Sequence, residues 1–242
     1  PEAKESDLGM KVVVTITKWT KPSEEPNASI TETLGRAGDH ETEMQAIIRS
    51  GGFSESFDEM VAQAANELYK NKERIFKDAE NDPKRKDFRG TTTFTIDPAD
   101  AKDFDDALSF KALENGNYEI GIHIADVSHY VVEGEGIDVE ARESGTSIYL
   151  VDRVIPMLPE VLSNDLCSLR PNEDRLAFSA VFEIDKNAEV QNEWYGQTII
   201  HSDKRFSYEE AQEVLDTNDG PMLSELSTMM EIGRKIRKRR YA

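Results

Sequence analysis

Five carboxylates crowd the segment Thr95 to Leu108, TIDPADAKDFDDAL. Asp97 ends a β-branched stretch, and Asp100, Asp103, Asp105 and Asp106 follow within nine residues. Like charges held a few ångströms apart raise one another's pKa values and resist joint ionisation unless a cation offsets them. A hard, oxygen-loving ion, Mg²⁺ with Mn²⁺ as a substitute, is the natural occupant of such a set. Two blander readings compete. An acidic turn on an acidic surface is the common fate of such a string. A calcium loop fits poorly, because the third and fifth positions counted from Asp97 are Ala99 and Ala101 and no glycine follows at the sixth. Ile96, Phe104, Ala107 and Leu108 frame the acids and anchor the loop to a core, which favours metal.

Other residues invite chemistry less strongly. His123 lies in an apolar strand pattern and reads as a satisfied core histidine, and His129 follows in the same block, HIADVSHYV, beside Asp126. Spacing alone makes Tyr149, in SIYLVD, a core strand tyrosine. Tyr208, at the start of SYEEAQEVL, reads as an ordinary helix-start residue beside a Ser207 cap. Arg234 to Arg240 is basic on most of a helix whose apolar side is Met229, Ile232 and Ile236, equally a solvated face or a phosphate contact.

These residues need elements to hold them. Lys11 to Trp19 (KVVVTITKW) alternates and is β-branched; after the turn-forming KPSEEPN, Ser29 to Leu34 completes a hairpin. Two strands cannot close a barrel, so they are expected to be the last strands of a larger β module. From Asp39, a potential cap, the period becomes helical, with Met44, Ile47 and Ile48 on one side and Gly51-Gly52 as the stop. Ser54 or Ser56 is expected to start a second helix with Phe57, Met60, Val61, Ala64 and Leu68 inward, and the charged stretch Tyr69 to Arg89 reads as a linker or surface helix. Beyond Gly90, strands are expected at Thr91 to Ile96, Tyr118 to Ile124, Ser147 to Val151, Leu176 to Ile184 and Gln191 to Ile200. Helices are expected at Ile137 to Glu143, Ser207 to Leu215 and Leu223 to Arg240. Short polar turns such as LENGN and DKNAE favour antiparallel pairing in a mixed α and β domain.

Composition bounds the partners. The 242 residues hold 48 acids against 29 bases, a formal charge of −19, which excludes uniform basic binding to nucleic acid. The final stretch from His201 balances eight acids with eight bases, so the whole excess lies before it. One cysteine, Cys167, forms no internal disulfide and no multi-cysteine zinc site, and reads as a buried core residue in a reducing compartment. No apolar run approaches a membrane span and no signal peptide opens the chain, so a cytoplasmic location without membrane contact is expected. The chain starts without Met and stops within a basic helical pattern, as a piece of a longer protein would.

Three blocks in order carry a specific resemblance: TIDPADAKDFDDAL, then IGIHIADVSHYV at Ile120 to Val131, then IPMLPEVLSNDLCSLRPNEDRLAFS at Ile155 to Ser179. Together they resemble the catalytic domain of the ribonuclease II (RNB) exoribonuclease family. The resemblance implies processive 3′-to-5′ hydrolysis of single-stranded RNA to nucleoside 5′-monophosphates by two-metal chemistry with Mg²⁺. It assigns Asp97, Asp103 and Asp106 to metal, with Asp103 also catalytic, and makes Asp105 the residue most critical to the chemical step; Asp100 is not among the family's four aspartates. It makes Tyr149 a base-stacking residue and brings Tyr208 near the RNA end. The implied fold is α+β: residues 1–38 as the C-terminal part of a cold-shock (OB-fold) barrel, 39–89 as a helical connector, and 90–242 as the N-terminal part of a mostly antiparallel catalytic domain with flanking helices. The family's domain continues further, so a monomeric chain with little or no activity of its own is expected. RNA-decay or ribosome-associated factors are further expected partners. A non-catalytic RNA-binding relative and another metal-dependent phosphodiesterase, such as a DNA exonuclease, are the alternatives.

Overall fold

The computed structural model describes residues 4–23 and 25–241. In chain order its elements are β1 (Met10–Lys18), β2 (Asn27–Arg36), α1 (His40–Ser50), α2 (Glu59–Lys70), α3 (Lys72–Glu80), β3 (Lys86–Asp87), β4 (Thr92–Asp97), β5 (Asp106–Ala112) and β6 (Tyr118–Ala125). They continue with α4 (Val127–Tyr130), α5 (Gly136–Ser144), β7 (Ile148–Tyr149), β8 (Val154–Ile155), β9 (Asp174–Ile184), β10 (Val190–His201), β11 (Lys204–Ser207), α6 (Tyr208–Thr217) and α7 (Leu223–Arg240). The fold is α+β and divides into two units. One runs up to Asp58 and takes in Glu143–Met157; the other comprises Glu59–Arg142 and the chain from Leu158 onward.

In the first unit β1 and β2 pair antiparallel with three register shifts. Helix α1 packs on this hairpin through the buried Thr42, whose Oγ1 lies 2.4 Å from where a Cβ on Gly35 would stand. Gly35, at φ +142°, is therefore required both by its backbone and by the helix above it. The expected cap differs: Asp39 precedes α1, but its side chain makes no capping bond. Glu43, inside the helix, ties the preceding turn by accepting the Gly38 N–H at 2.9 Å and the Lys11 ammonium. Ile48 is buried whereas Ile47 faces solvent. Neither Ser54 nor Ser56 starts α2, because the Ser54 hydroxyl bonds both the N–H and the carbonyl of Ser56 in a turn of its own. In the second unit Met60, expected inward, is exposed on α2, and Val61 and Ala65 form its buried stripe.

The second unit is built on a seven-stranded sheet of order β11-β4-β5-β6-β9-β10-β3. Its central pairs are antiparallel, joined by the two polar turns seen in the sequence; β11 beside β4 and β3 beside β10 are parallel. Strands β5 and β11 are additions to the sequence reading: Asp106 opens a strand rather than ending a loop, and KRFS is a strand too short to show a period. The strand expected at Ser147 to Val151 shrinks to a two-pair ladder between β7 and β8 in the other unit.

Alternation along β4, β5 and β11 sends Phe94, Ile96, Leu108 and Phe206 to one face, where α6 and α7 cover them through Ala211, Val214, Leu226 and Met229. Phe94 and Phe206 meet edge to face at 5.8 Å. A second cluster joins Phe110, Ile120 and Ile184 to Ile232 of α7, whereas Ile236 is exposed. Ser207 and Glu210 form a reciprocal capping box, which explains why α6 starts at Tyr208. No helix among the described residues is long and apolar enough to cross a membrane.

The opposite face carries a buried polar row. His123 contacts Ser179 Oγ at 2.6 Å through Nδ1 and Ser109 Oγ at 2.8 Å through Nε2, and Ser179 contacts Thr198 at 2.6 Å. A side chain at Gly121 would strike both Ser109 and the ring. His123 is thus a core histidine, and burial pushes its pKa down to about 4. The unfolded chain takes up this proton near pH 6.5, the folded chain only near 4, so stability falls as pH drops through that window, by about 3 kcal/mol. His123→Gln should be less stable at neutral pH but lack this component, as urea melts of both proteins at pH 7 and pH 4.5 will show.

Candidate active site

Asp97 is the last residue of β4 and sits opposite Ser207 of β11; Asp106 is the first residue of β5 and sits opposite Ile124 of β6. The connection between them is clamped at several points. Arg205 donates to the carbonyls of Pro98 at 2.6 Å and Ala99 at 2.8 Å, and its guanidinium lies 5.6 Å from the Phe104 ring centre. The fully buried Ser168 accepts the Phe104 N–H at 3.0 Å and donates to the Lys102 carbonyl at 3.1 Å; Leu169 N–H donates to the Phe104 carbonyl at 2.8 Å. The Ala125 N–H holds the Asp105 carbonyl at 2.9 Å. Ser168 is fixed in turn by Arg175, which bonds its carbonyl at 2.9 Å and Asp165 at 3.1 Å.

The acids are electrostatically coupled. Asp97 is buried and its pKa is raised, mainly by lost hydration, with Asp106 and Asp103 adding. The Thr95 hydroxyl and Arg205 oppose the rise, Thr95 without reaching hydrogen-bond geometry. Asp105 opens part of its surface to solvent, yet its pKa is also raised, first by lost hydration, then by Asp103, Asp106 and Asp97. Asp100 is exposed and stands outside this set, in keeping with a turn residue. Among the described residues, four buried side-chain polar atoms lack a hydrogen-bond partner; three of them, Thr95 Oγ1, Asp97 Oδ2 and Arg205 Nε, lie at the paired ends of β4 and β11.

Hard carboxylate oxygens, one of them buried and unpartnered, fit Mg²⁺ or Mn²⁺, and a bound dication would relieve the mutual repulsion. Among the described residues no three His, Cys, Asp or Glu side chains converge as a ready-made ligand shell. Asp97 ends β4 and Asp106 opens β5, both beyond the last residue pair that joins these strands, Phe94 with Leu108. Tyr208 starts α6. It borders a cavity of about 500 Å³ lined by Phe94, Leu108 and Met229, with Arg234 and Arg237 at the rim. Tyr149 lies in the other unit, at the end of β7, 70% exposed.

Asp126 and His129 form a separate group. Asp126 accepts from Arg85 at 2.6 Å, both side chains almost fully buried, and Arg85 also contacts His129 Nδ1 at 3.3 Å. Burial and Arg85 lower the His129 pKa. Sequence reasoning missed Arg85, Ser168 and Arg205. Only Arg205 left a signal: it stands beside the apolar Phe206 just ahead of a capping box, where an alternating residue must face away from the core.

Two family profiles match the chain, one described as the RNB domain over residues 85–242 and one as a cold shock domain over residues 1–58. DIS3-like exonuclease 2 of Xenopus tropicalis is 42% identical over 210 residues, which cover 86% of this chain and 24% of that protein. The solved structure of Mycoplasma genitalium RNase R in complex with ribose-methylated single-stranded RNA matches with a TM-score of 0.86 at 28% identity, over 96% of this chain and 36% of that one. Yeast Ssd1, described as a pseudonuclease, matches with a TM-score of 0.76 at 25% identity, over 98% of this chain and 29% of that one. The chain spans about a quarter of the length of the curated relatives it matches.

Proposed function

The chain belongs to the RNB-domain family, and on that footing we propose that it carries the aspartate site of a 3′-to-5′ exoribonuclease that hydrolyses single-stranded RNA processively to nucleoside 5′-monophosphates. The supporting observation is the coupling of Asp97, Asp103, Asp105 and Asp106 on a connection that Arg205 and Ser168 hold in place. Asp97, Asp103 and Asp106 would hold Mg²⁺ or Mn²⁺. Bound there, the ions would neutralise the phosphoryl oxygens and acidify water.

The protein's own groups supply the rest. Asp105, with its raised carboxyl, is suited to take the proton of the attacking water. Arg205 fixes the backbone of Pro98 and Ala99 so that the acids stay aligned without reorganising during reaction. Tyr149 would stack on a terminal base, an interaction that tolerates any sequence, and Tyr208 would approach the terminal ribose. Because the chain spans a quarter of its relatives, full turnover is proposed for the longer protein and little for the chain alone. Single-stranded RNA in the cytoplasm, with RNA-decay or ribosome-associated factors, is the proposed setting.

The likeness to a pseudonuclease supports a second reading, a non-catalytic RNA binder. Titration with Mg²⁺ or Mn²⁺, read by thermal unfolding, tests the metal reading. Saturable stabilisation is expected in the wild type and not in Asp105→Asn/Asp106→Asn; equal curves would overturn the assignment. Digestion of matched RNA and DNA strands by the longer protein then decides the substrate: mononucleotides from RNA alone are expected, and none from either strand would favour the non-catalytic reading.

A further inference from the structure

The hairpin that carries Tyr149 is short, and the Met157 N–H donates to Ser147 Oγ at 3.0 Å across its base. Only two residue pairs join β7 to β8, Ile148 with Ile155 and Tyr149 with Val154, and such a ladder is not stable by itself in water. Its turn closes with one backbone bond, Leu150 N–H to the Arg153 carbonyl at 2.8 Å, and apolar burial does not anchor the tip, since Val151 is 88% exposed. The anchor is ionic. Arg153 grips Glu41 of α1 with both guanidinium nitrogens, at 3.0 and 2.5 Å, and reaches Glu55 at 3.3 Å. Asp152 accepts from Arg153 three times, at 2.9 Å from a terminal nitrogen and at 3.3 Å to each oxygen from Nε, and meets the His40 ring at 3.0 Å. Gln45 bridges Glu41 and Glu55, at 3.2 and 3.0 Å, and so aims both acids.

Single exposed ion pairs contribute little, but a forked guanidinium–carboxylate pair inside a network defines a geometry. The Arg153 side chain is 30% exposed and that of Glu41 58%, so the pair is defined by its forked geometry within the network rather than by burial. The partners stay ionised: Arg153 holds the Glu41 carboxyl below its ordinary range, and Arg153 with His40 brings Asp152 down to about 2. Both ends of the clamp lie in the first unit, although Arg153 falls in the stretch matched to the RNB domain and Glu41 in the stretch matched to the cold shock domain.

We propose that the Arg153–Glu41 clamp is the positioning device of Tyr149, so that the cold-shock helix α1 sets where the tyrosine meets RNA. This rests on the reading of Tyr149 as a base-stacking residue. The clamp explains why a hairpin with two ladder pairs and an exposed tip can present an aromatic ring in one place, which stacking requires.

The test uses the whole chain in EDTA with a short oligoadenylate ending in 2-aminopurine, read by fluorescence quenching and affinity, with hydrogen exchange at the Leu150 amide. Tyr149→Ala should weaken binding by about tenfold and abolish quenching. Arg153→Ala should produce most of that loss and release the Leu150 amide while leaving the unfolding temperature near that of the wild type; Arg153→Lys, which keeps the charge but not the fork, should recover only part. If Tyr149→Ala weakens binding and Arg153→Ala binds like the wild type with Leu150 still protected, the clamp is refuted and the tyrosine reading survives. If Tyr149→Ala changes nothing, both fall together.

Discussion

Asp105→Asn should lower ribonuclease turnover in the longer protein by at least about a hundredfold, while making the metal-free chain more stable. The two effects have one origin. Asp105 sits among Asp103, Asp106 and Asp97, and lost hydration together with their charges raises its pKa. A carboxyl whose folded pKa exceeds its unfolded one stabilises the folded state while protonated, and that contribution is lost as pH rises through the folded value. At neutral pH the folded chain therefore carries an unfavourable charge that asparagine removes. The melting advantage of Asp105→Asn should be largest near pH 7 and shrink as the solution is acidified toward the carboxylate range. Asparagine cannot take a proton from water, so the same replacement removes the chemical step while RNA binding persists. Turnover retained with Mg²⁺, or a variant less stable than the wild type at pH 7 without metal, would remove Asp105 from the centre of the cluster.

That cluster was legible because its signal is local: five aspartates in ten residues, framed by apolar side chains, stand out in one dimension. The start of α6 at Tyr208 was legible for the same reason, since the Ser207 cap is a local signal. His123 was read correctly because its strand is apolar on both sides, although the serines that satisfy it come from β5 and β9, and the threonine that contacts Ser179 in turn from β10. What remained hidden is long-range. Ser168 holds Phe104 from 64 residues away, and Arg205 holds Pro98 from 107. The alternation beside Phe206 turns Arg205 away from the core but does not say what it holds, because each of the two acts through backbone carbonyls and amides that any residue would offer. Strand β5 was hidden by its first residue: Asp106 looks like loop, and only pairing with β6 shows that the ladder starts there. The Tyr149 hairpin was overestimated for the opposite reason, since the β-branched SIYLV has strand propensity but finds only one short partner.

The largest stability effect is expected at Arg85, which the sequence offered only as part of a charged linker. Arg85 and Asp126 form an ion pair with side chains 2% and 1% exposed, and Arg85 also donates to the Thr198 carbonyl at 3.2 Å. Asp126 is further bonded by Ser128 at 2.8 Å and Gln197 at 3.4 Å. Arg85→Met leaves a carboxylate buried without its counter-charge and should cost about 3–5 kcal/mol. Neutralising the other partner as well should return much of that loss, because asparagine at 126 removes the buried charge and keeps one acceptor oxygen, for the Ser128 hydroxyl. A double-mutant cycle of Arg85→Met and Asp126→Asn, measured by denaturant unfolding, should therefore show strong coupling. Additive losses would mean that the two groups act separately. The pair also reaches the aspartates: Asp126 N–H bonds the Leu176 carbonyl at 3.0 Å, and the preceding residue, Ala125, holds the carbonyl of Asp105. A buried charge that loses its partner drags on the end of β6, and the backbone of Asp105 is fastened to that end. Arg85→Met should thus displace the Mn²⁺ titration midpoint as well as the unfolding midpoint, whereas the double variant should restore the first more fully than the second, since metal affinity depends on where β6 ends and stability on everything the pair touches.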